Sequence, residues 1–125
     1  MKYILTLLIF IFVINNHNVF ANESIYIDDI LIAKQYAEEN DKKLLMIFTA
    51  DWCKYCEPLK NAIENNIERI NKKYVVCYIN FDTNKDLVKK YRVGSIPATI
   101  ISNGNTITRI VGFSSFNTYS QKIGL

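Results

Sequence analysis

Two apolar runs constrain the fold more than any other feature of the sequence. Residues 44–48 (LLMIF) and 74–81 (YVVCYINF) are short, continuous and rich in β-branched and aromatic residues, which predicts strands buried on both faces. The segment between them repeats apolar residues at helical spacing: Leu59, Ala62, Ile63, Ile67 and Ile70. A helix that connects two neighbouring strands makes them parallel, with a right-handed crossover.

The flanking segments complete an α/β pattern. Asp28 and Asp29 can cap a helix that ends near residue 41, and residues 84–91 predict a shorter helix. Strands over 98–102 and 106–111 flank an Asn-Gly-Asn turn, and either Ser114 or Ser115 can cap a last helix. Residues 24–27 form a candidate edge strand. This order predicts one mixed central sheet with helices on both faces.

The amino-terminal segment predicts export. Lys2 precedes an apolar run over residues 3–14, a polar stretch, and small residues at positions 19 and 21. This is the layout of a signal peptide, so we expect a leader over 1–21 and a mature domain over 22–125. An uncleaved anchor is the alternative, although the run is shorter than the roughly 20 residues that span a bilayer. The periplasm is the expected destination, and secretion is the alternative.

Composition excludes several kinds of chemistry and partner. The net charge is +3, and the charges are interspersed, whereas a nucleic-acid interface needs a concentrated basic face. The single histidine, His17, lies in the predicted leader. The expected mature domain therefore lacks the histidine of Cys–His or Ser–His–Asp catalysis and of mixed Cys/His zinc sites.

Cys53 and Cys56 are separated by two residues and follow the first predicted strand. They could form a redox pair, hold a metal or simply lie in the core. A zinc site needs four ligands, and Cys77 is the only other thiol. At a helix start, free N–H groups and the adjacent Lys54 would favour a thiolate, so we expect an exposed, attacking Cys53 and a shielded, resolving Cys56.

Four segments in order carry a family resemblance. Residues 50–56 (ADWCKYC) resemble the active-site stretch of thioredoxin-like thiol–disulfide oxidoreductases. Residues 91–99 (YRVGSIPAT) resemble the family's proline segment. Residues 80–84 (NFDTN) resemble the segment after the second buried strand, and residues 111–112 (VG) resemble the loop after the hairpin. The Asp-Trp-Cys form is most similar to exported bacterial envelope domains, such as the C-terminal thioredoxin-like domain of the transmembrane reductase DsbD. The resemblance implies a thioredoxin fold.

The resemblance also implies roles for individual residues. Pro97 would be cis and face the cysteine pair, leaving the backbone of Ile96 free to pair with an extended substrate segment. The other residues of the expected substrate groove are Trp52, Lys54, Tyr55 and Gly112. The cysteine pair would carry the electrons, so no metal or organic cofactor is expected.

The implied activity is disulfide reduction or electron transfer on protein or peptide thiols and disulfides, by a protein expected to be monomeric. A membrane electron donor or acceptor is a possible partner, and nucleic acid is not. Two alternatives stay open: a disulfide donor to folding exported proteins, and a non-catalytic binding module that uses the groove around Pro97.

Several positions depart from the family pattern. The buried aspartate and its lysine partner are replaced by Ile47 and Tyr78, so Asp51, Glu57 or water would have to deprotonate Cys56. Pro58 replaces a proline that the family has later in the helix, and it is expected to bend the helix near its start. Cys77 is expected to be a buried thiol, with a third redox thiol or a dimer link as the alternative.

Overall fold

The computed structural model describes residues 28–125. The predicted leader and the candidate strand over 24–27 lie outside them. The described elements, in chain order, are α1 (Ile30–Glu39), β1 (Lys43–Thr49), a 3₁₀ turn (Lys54–Cys56), α2 (Glu57–Asn65), α3 (Ile67–Asn71), β2 (Tyr74–Asn80), α4 (Lys85–Lys90), β3 (Ala98–Ser102), β4 (Ile107–Val111) and α5 (Phe116–Ile123).

The four described strands form one mixed sheet in the order β2-β1-β3-β4. β1 and β2 are parallel, as predicted for two strands joined through a helix, and β3 and β4 form the predicted antiparallel hairpin. β3 also pairs antiparallel with β1, so the strand that precedes the cysteines is held on both edges. Six of its seven residues are buried, as expected for a central strand whose two faces are both covered.

Alternation along β1 builds a core on each face of the sheet. Leu44, Met46 and Phe48 pack towards α1 and α4, whereas Leu45 and Ile47 pack towards α2, α3 and α5. Because successive strand residues point to opposite faces, this single strand contributes to both helical layers. The carboxyl end of β1, where the cysteine segment begins, is therefore anchored from both sides.

Capping residues define the outer helices. The Asp29 carboxylate accepts hydrogen bonds from the backbone N–H groups of Leu31 and Ile32 at the start of α1. Ser115, one of the two predicted caps, accepts from the N–H of Thr118 at the start of α5. These side chains satisfy donors that a helix cannot pair internally. No helix within residues 28–125 is long and apolar enough to cross a membrane.

The helix after the cysteines begins later than predicted. Cys53 has an extended backbone, a 3₁₀ turn follows it, and the α-helix starts at Glu57. Pro58 therefore lies in the first turn of α2, where a missing N–H removes no internal hydrogen bond. The expected loss of a helix hydrogen bond at Pro58 is wrong for this reason, and the expected bend stays a prediction.

The same helix is also interrupted at Asn66. This residue leaves the helical conformation and ends α2, and α3 starts one residue later. Its side chain donates to the carbonyl of Ala62 at 2.8 Å, so the turn is held by a local bond that competes with the helix. Ile67 and Ile70 are nevertheless buried in the core cluster that contains Leu59 and Ile63.

Candidate functional site

Cys53 and Cys56 are joined by a disulfide, with their Cα atoms 5.4 Å apart. The Cys53 N–H donates to the carbonyl of Ala50 at 3.1 Å, and the Cys56 N–H donates to the carbonyl of Cys53 at 3.1 Å. These two turns fold the chain back on itself directly after β1. The local backbone therefore brings the sulfurs together, which supports the redox interpretation of the pair over the metal and core alternatives.

Both cysteines are buried, so the expected exposure of Cys53 is wrong. Cys53 is 4% exposed and Cys56 is 0% exposed. They form a small apolar cluster with Ala50, against which Phe81 and Ile96 pack. Phe81 is brought to this cluster by its backbone N–H, which donates to the carbonyl of Thr49 at the end of β1. Residues distant in sequence thus cover the disulfide.

A cavity of about 450 Å³ adjoins Cys53. Four predicted groove residues line it, namely Trp52, Lys54, Tyr55 and Ile96, and three further residues complete the lining: Phe81, Gly94 and Ser95. Trp52 is 67% exposed and Tyr55 is 71% exposed. Large apolar side chains exposed beside a concave surface are typical of binding sites.

Trp52 is held by a residue whose role the sequence did not suggest. Its indole Nε1 donates to Oδ2 of Asp82 at 2.7 Å. Asp82 is held in turn by the side chain of Asn80, which accepts from the backbone N–H groups of Asp82 and Thr83. Asn80 at the end of a predicted strand could have indicated this turn, because asparagine side chains often bond to the backbone two residues on.

The proline segment lies at the start of β3. The Ile96–Pro97 peptide bond is cis. The carbonyl of Pro97 accepts a hydrogen bond from the N–H of Gly112 at 2.8 Å, and Gly112 has a φ of +76°, a conformation that favours glycine. Pro97 and Gly112 are therefore fixed to each other. Neither of them lines the cavity beside Cys53, although both were predicted to belong to the groove.

Two lysines lie over aromatic rings at the cavity. The ammonium of Lys54 is 5.3 Å from the centre of the Tyr55 ring, and that of Lys85 is 4.7 Å from the centre of the Phe81 ring. Such contacts are worth about 0.5–1 kcal/mol at exposed sites. They place positive charge at the rim of an otherwise apolar surface. The expected stabilisation of a Cys53 thiolate by Lys54 stays a prediction.

Ile47 and Tyr78, which replace the family's ion pair, are neighbours on the adjacent strands β1 and β2. They are partners in the register of β1 and β2, and Ile47 is fully buried. An uncharged pair at these adjacent positions avoids the cost of a buried charge without a partner. Glu57, one proposed aid to Cys56 deprotonation, is exposed and lies 3.8 Å from Lys60. The choice between Glu57, Asp51 and water stays a prediction.

Cys77 lies in the middle of β2 and is fully buried, as expected for a structural thiol. Burial raises its pKa to about 12, with smaller contributions from Asp28 and Asp29. Thiol exchange requires the thiolate and access to a substrate sulfur, and both the raised pKa and the burial of Cys77 oppose exchange at neutral pH. The alternative of a third redox thiol is therefore not supported in the folded protein.

Comparison with known proteins agrees with this geometry. A family model described as a thioredoxin-like domain matches residues 32–124. The chain is 36% identical over 70 residues to thioredoxin of Buchnera aphidicola, covering 56% of this chain and 64% of that protein. It is 32% identical over 94 residues to thioredoxin of Rickettsia bellii, covering 72% and 90%.

Solved structures show the same fold. The germline-specific thioredoxin Deadhead of Drosophila melanogaster superposes with a TM-score of 0.67 at 20% identity, over 80% of this chain and 96% of that one. Chloroplastic thioredoxin z superposes with a TM-score of 0.65 at 23% identity, over 84% and 95%. The particular similarity to the DsbD domain stays a prediction. The family match, the fold and the cysteine disulfide together show that the chain belongs to the thioredoxin-like family of thiol–disulfide oxidoreductases.

Proposed function

We propose that this protein is an exported disulfide reductase or electron carrier that passes electrons to protein disulfides. The observation that carries the direction is the burial of Cys53 among apolar neighbours. An apolar environment disfavours a thiolate, and a strong disulfide donor depends on a stabilised reduced form. The apolar surroundings of Cys53 thus oppose the thiolate stabilisation on which a strong disulfide donor depends, which supports electron donation to other proteins.

The proposed reaction has two exchange steps. In the reduced protein, the Cys53 thiolate attacks one sulfur of a substrate disulfide; an S–S bond forms between them, and the other substrate sulfur leaves and takes a proton. Cys56 loses its proton and attacks the sulfur of Cys53. The Cys53–Cys56 bond closes and the second substrate thiolate departs and is protonated. Two electrons pass to the substrate, and no further cofactor is required.

The reduction potential tests the direction of transfer. Trp52 is the only tryptophan and lies beside Cys53, so its fluorescence can report the redox state in dithiothreitol or glutathione buffers. We expect a value near or below about −230 mV. A value near about −120 mV would identify a disulfide donor and overturn the proposed direction.

The binding-module alternative makes a different prediction. It requires that Cys53→Ser and Cys56→Ser leave the function intact, whereas an exchange enzyme loses turnover in both. The Cys53→Ser variant loses the attacking sulfur. The Cys56→Ser variant keeps it and accumulates a mixed disulfide with substrate, which non-reducing gel electrophoresis detects. Equal activity of both variants and the unchanged protein would favour the binding module.

Export is proposed from the amino-terminal sequence alone. Expression of the full chain in a bacterium with a periplasm, followed by fractionation and mass measurement, would test it. We expect a periplasmic product that begins at Asn22 and sediments as a monomer. A cytoplasmic product that retains Met1 would contradict the export proposal but would leave the proposed exchange reaction unaffected. An oxidising compartment would also require a membrane electron donor to keep the cysteines reduced.

A further inference from the structure

A second concave surface lies at the opposite end of the sheet from the disulfide. Its volume is about 670 Å³, and it is bounded by α1, the start of β1, the end of α4 and the β3–β4 hairpin. Lys43 and Leu44 line it at the first residues of β1, whereas Cys53 follows the last. A seven-residue strand separates the two surfaces by roughly 20 Å. Neither the exchange chemistry nor the groove uses it.

The lining of this cavity carries an excess of positive charge. Four lysines line it, Lys34, Lys42, Lys43 and Lys90, against two acids, Glu38 and Asp41. Within residues 28–125, Lys60–Glu57 is the one ion pair closer than 4.0 Å, so the cavity acids do not neutralise the cavity lysines by direct contact.

The lysines are also not needed to cap the neighbouring helix. At the end of α1, the carbonyls of Tyr36, Ala37 and Glu38 accept hydrogen bonds from the backbone N–H groups of residues 40–42. These bonds occupy the carbonyls that basic side chains often bind at a helix end. The Lys90 ammonium lies 5.5 Å from the centre of the Tyr91 ring, a contact that leaves its N–H groups available to an anionic ligand, as are those of the other three lysines.

An apolar side chain and an open strand edge lie beside this charge. Ile107 lines the cavity and is 57% exposed. It begins β4, which is the last strand of the described sheet and pairs only with β3 within it. A strand with a free edge can accept an extended segment through backbone hydrogen bonds, while neighbouring pockets select the side chains.

We propose that this cavity, together with the free edge of β4, docks an extended acidic segment of a partner protein. Carboxylates of the segment face the lysines, and an apolar side chain packs on Ile107. The proposal does not depend on the direction of electron transfer. Because the site is far from Cys53, a partner held here leaves the disulfide free to react.

A labelled peptide tests the proposal. The probe is a fluorescein-labelled polyglutamate peptide with a central leucine, and binding to the full domain is followed by fluorescence anisotropy at low and at moderate salt. The test variant is Lys43→Glu with Lys90→Glu. The matched control is Lys72→Glu with Lys122→Glu, which has the same net charge but changes exposed lysines outside the cavity.

We expect the cavity variant to bind about tenfold more weakly, since each reversal removes one attraction and adds one repulsion. The control should bind within about twofold of the unchanged protein, and Ile107→Ser should weaken binding without any change in charge. The rate at which the protein reduces a substrate disulfide, with dithiothreitol as the electron donor, should be unchanged in all three variants. Equal losses in the cavity variant and the control would mean diffuse attraction and would overturn the proposal.

Two further outcomes would also overturn it. One is the absence of peptide binding at low salt. The other is binding to vesicles of phosphatidylserine and phosphatidylcholine without binding to the peptide, which would make the surface a membrane contact. Amide chemical shifts of the unchanged protein provide a check that needs no variant. Shifts on peptide addition should concentrate at residues 102–107, and shifts confined to residues 52–56 would contradict the proposed location.

Discussion

Reduction of the Cys53–Cys56 bond should destabilise the protein, and the size of the effect can be worked from the structure. The bond closes a ring of four residues, for which the chain-entropy relation gives about 2 kcal/mol at 25 °C. Both sulfurs are buried among apolar residues, so the two thiols formed on reduction gain no compensating contact with water or charge. For a domain of this size, about 2 kcal/mol corresponds to a fall in Tm of about 8–16 °C.

The assay is urea denaturation followed by far-UV circular dichroism, with and without dithiothreitol. The Cys77→Ala variant is the control, because it keeps the Cys53–Cys56 disulfide and lacks the free thiol of Cys77. It should show the same difference between oxidised and reduced forms. Since redox and folding equilibria are linked, a reduced form more stable than the oxidised form would make the protein an oxidant. That result would refute the argument from the burial of Cys53.

Three smaller predictions concern stability. Arg92 has a φ of +52°, so Arg92→Gly should raise the free energy of unfolding by about 1 kcal/mol in urea denaturation; an unchanged value would mean that the conformation is not strained. Asp82→Ala removes the acceptor of the Trp52 indole, which should lower the free energy of unfolding by less than about 1 kcal/mol at this exposed position. The same variant should show a smaller change in tryptophan fluorescence between oxidised and reduced forms, whereas Asp82→Asn should retain most of that change. The pKa of Cys77 is about 12 in the folded protein and about 8.5 in the unfolded chain, so folding binds this proton more tightly. Stability should fall as pH rises between these values, and the fall should be smaller in Cys77→Ala than in the unchanged protein when unfolding is measured at pH 8 and pH 10.

The sequence predicted the central elements of the fold because their signals are local. Residues 44–48 and 74–81 are apolar runs that no surface helix would carry, and the helical pattern between them sets their parallel order. The Asn-Gly-Asn turn likewise specifies the hairpin. The interruption at Asn66 was missed because the apolar spacing continues through it. At the break the Asn66 side chain bonds to the carbonyl of Ala62, a local contact that hydrophobic periodicity does not report.

The candidate site was predicted less completely, since several of its features depend on contacts between distant segments. The cysteine pair, taken together with the resemblance of residues 50–56 and 91–99 to family motifs, predicted the disulfide. By contrast, the position of Trp52 depends on Asp82, thirty residues later, and that contact exists only once the loops after β1 and β2 lie side by side. Pro97 and Gly112 are joined by a hydrogen bond and do not line the cavity beside Cys53. Their predicted place in the substrate groove stays a prediction.

The burial of Cys53 is the difference with the largest consequence for function. Position alone suggested an exposed, activated thiolate, because the cysteine precedes a helical turn and Lys54 is adjacent to it. The structure adds Phe81 and Ile96, which cover the sulfur from the loops that follow β2 and precede β3. A helix terminus stabilises a charge by about 0.3–1 kcal/mol at an exposed position. Desolvation of an ionisable group can shift its pKa by several units, at about 1.4 kcal/mol per unit. The apolar cover by Phe81 and Ile96 therefore opposes the effect of the helix terminus at Cys53, and it is the feature on which the proposed direction of electron transfer rests.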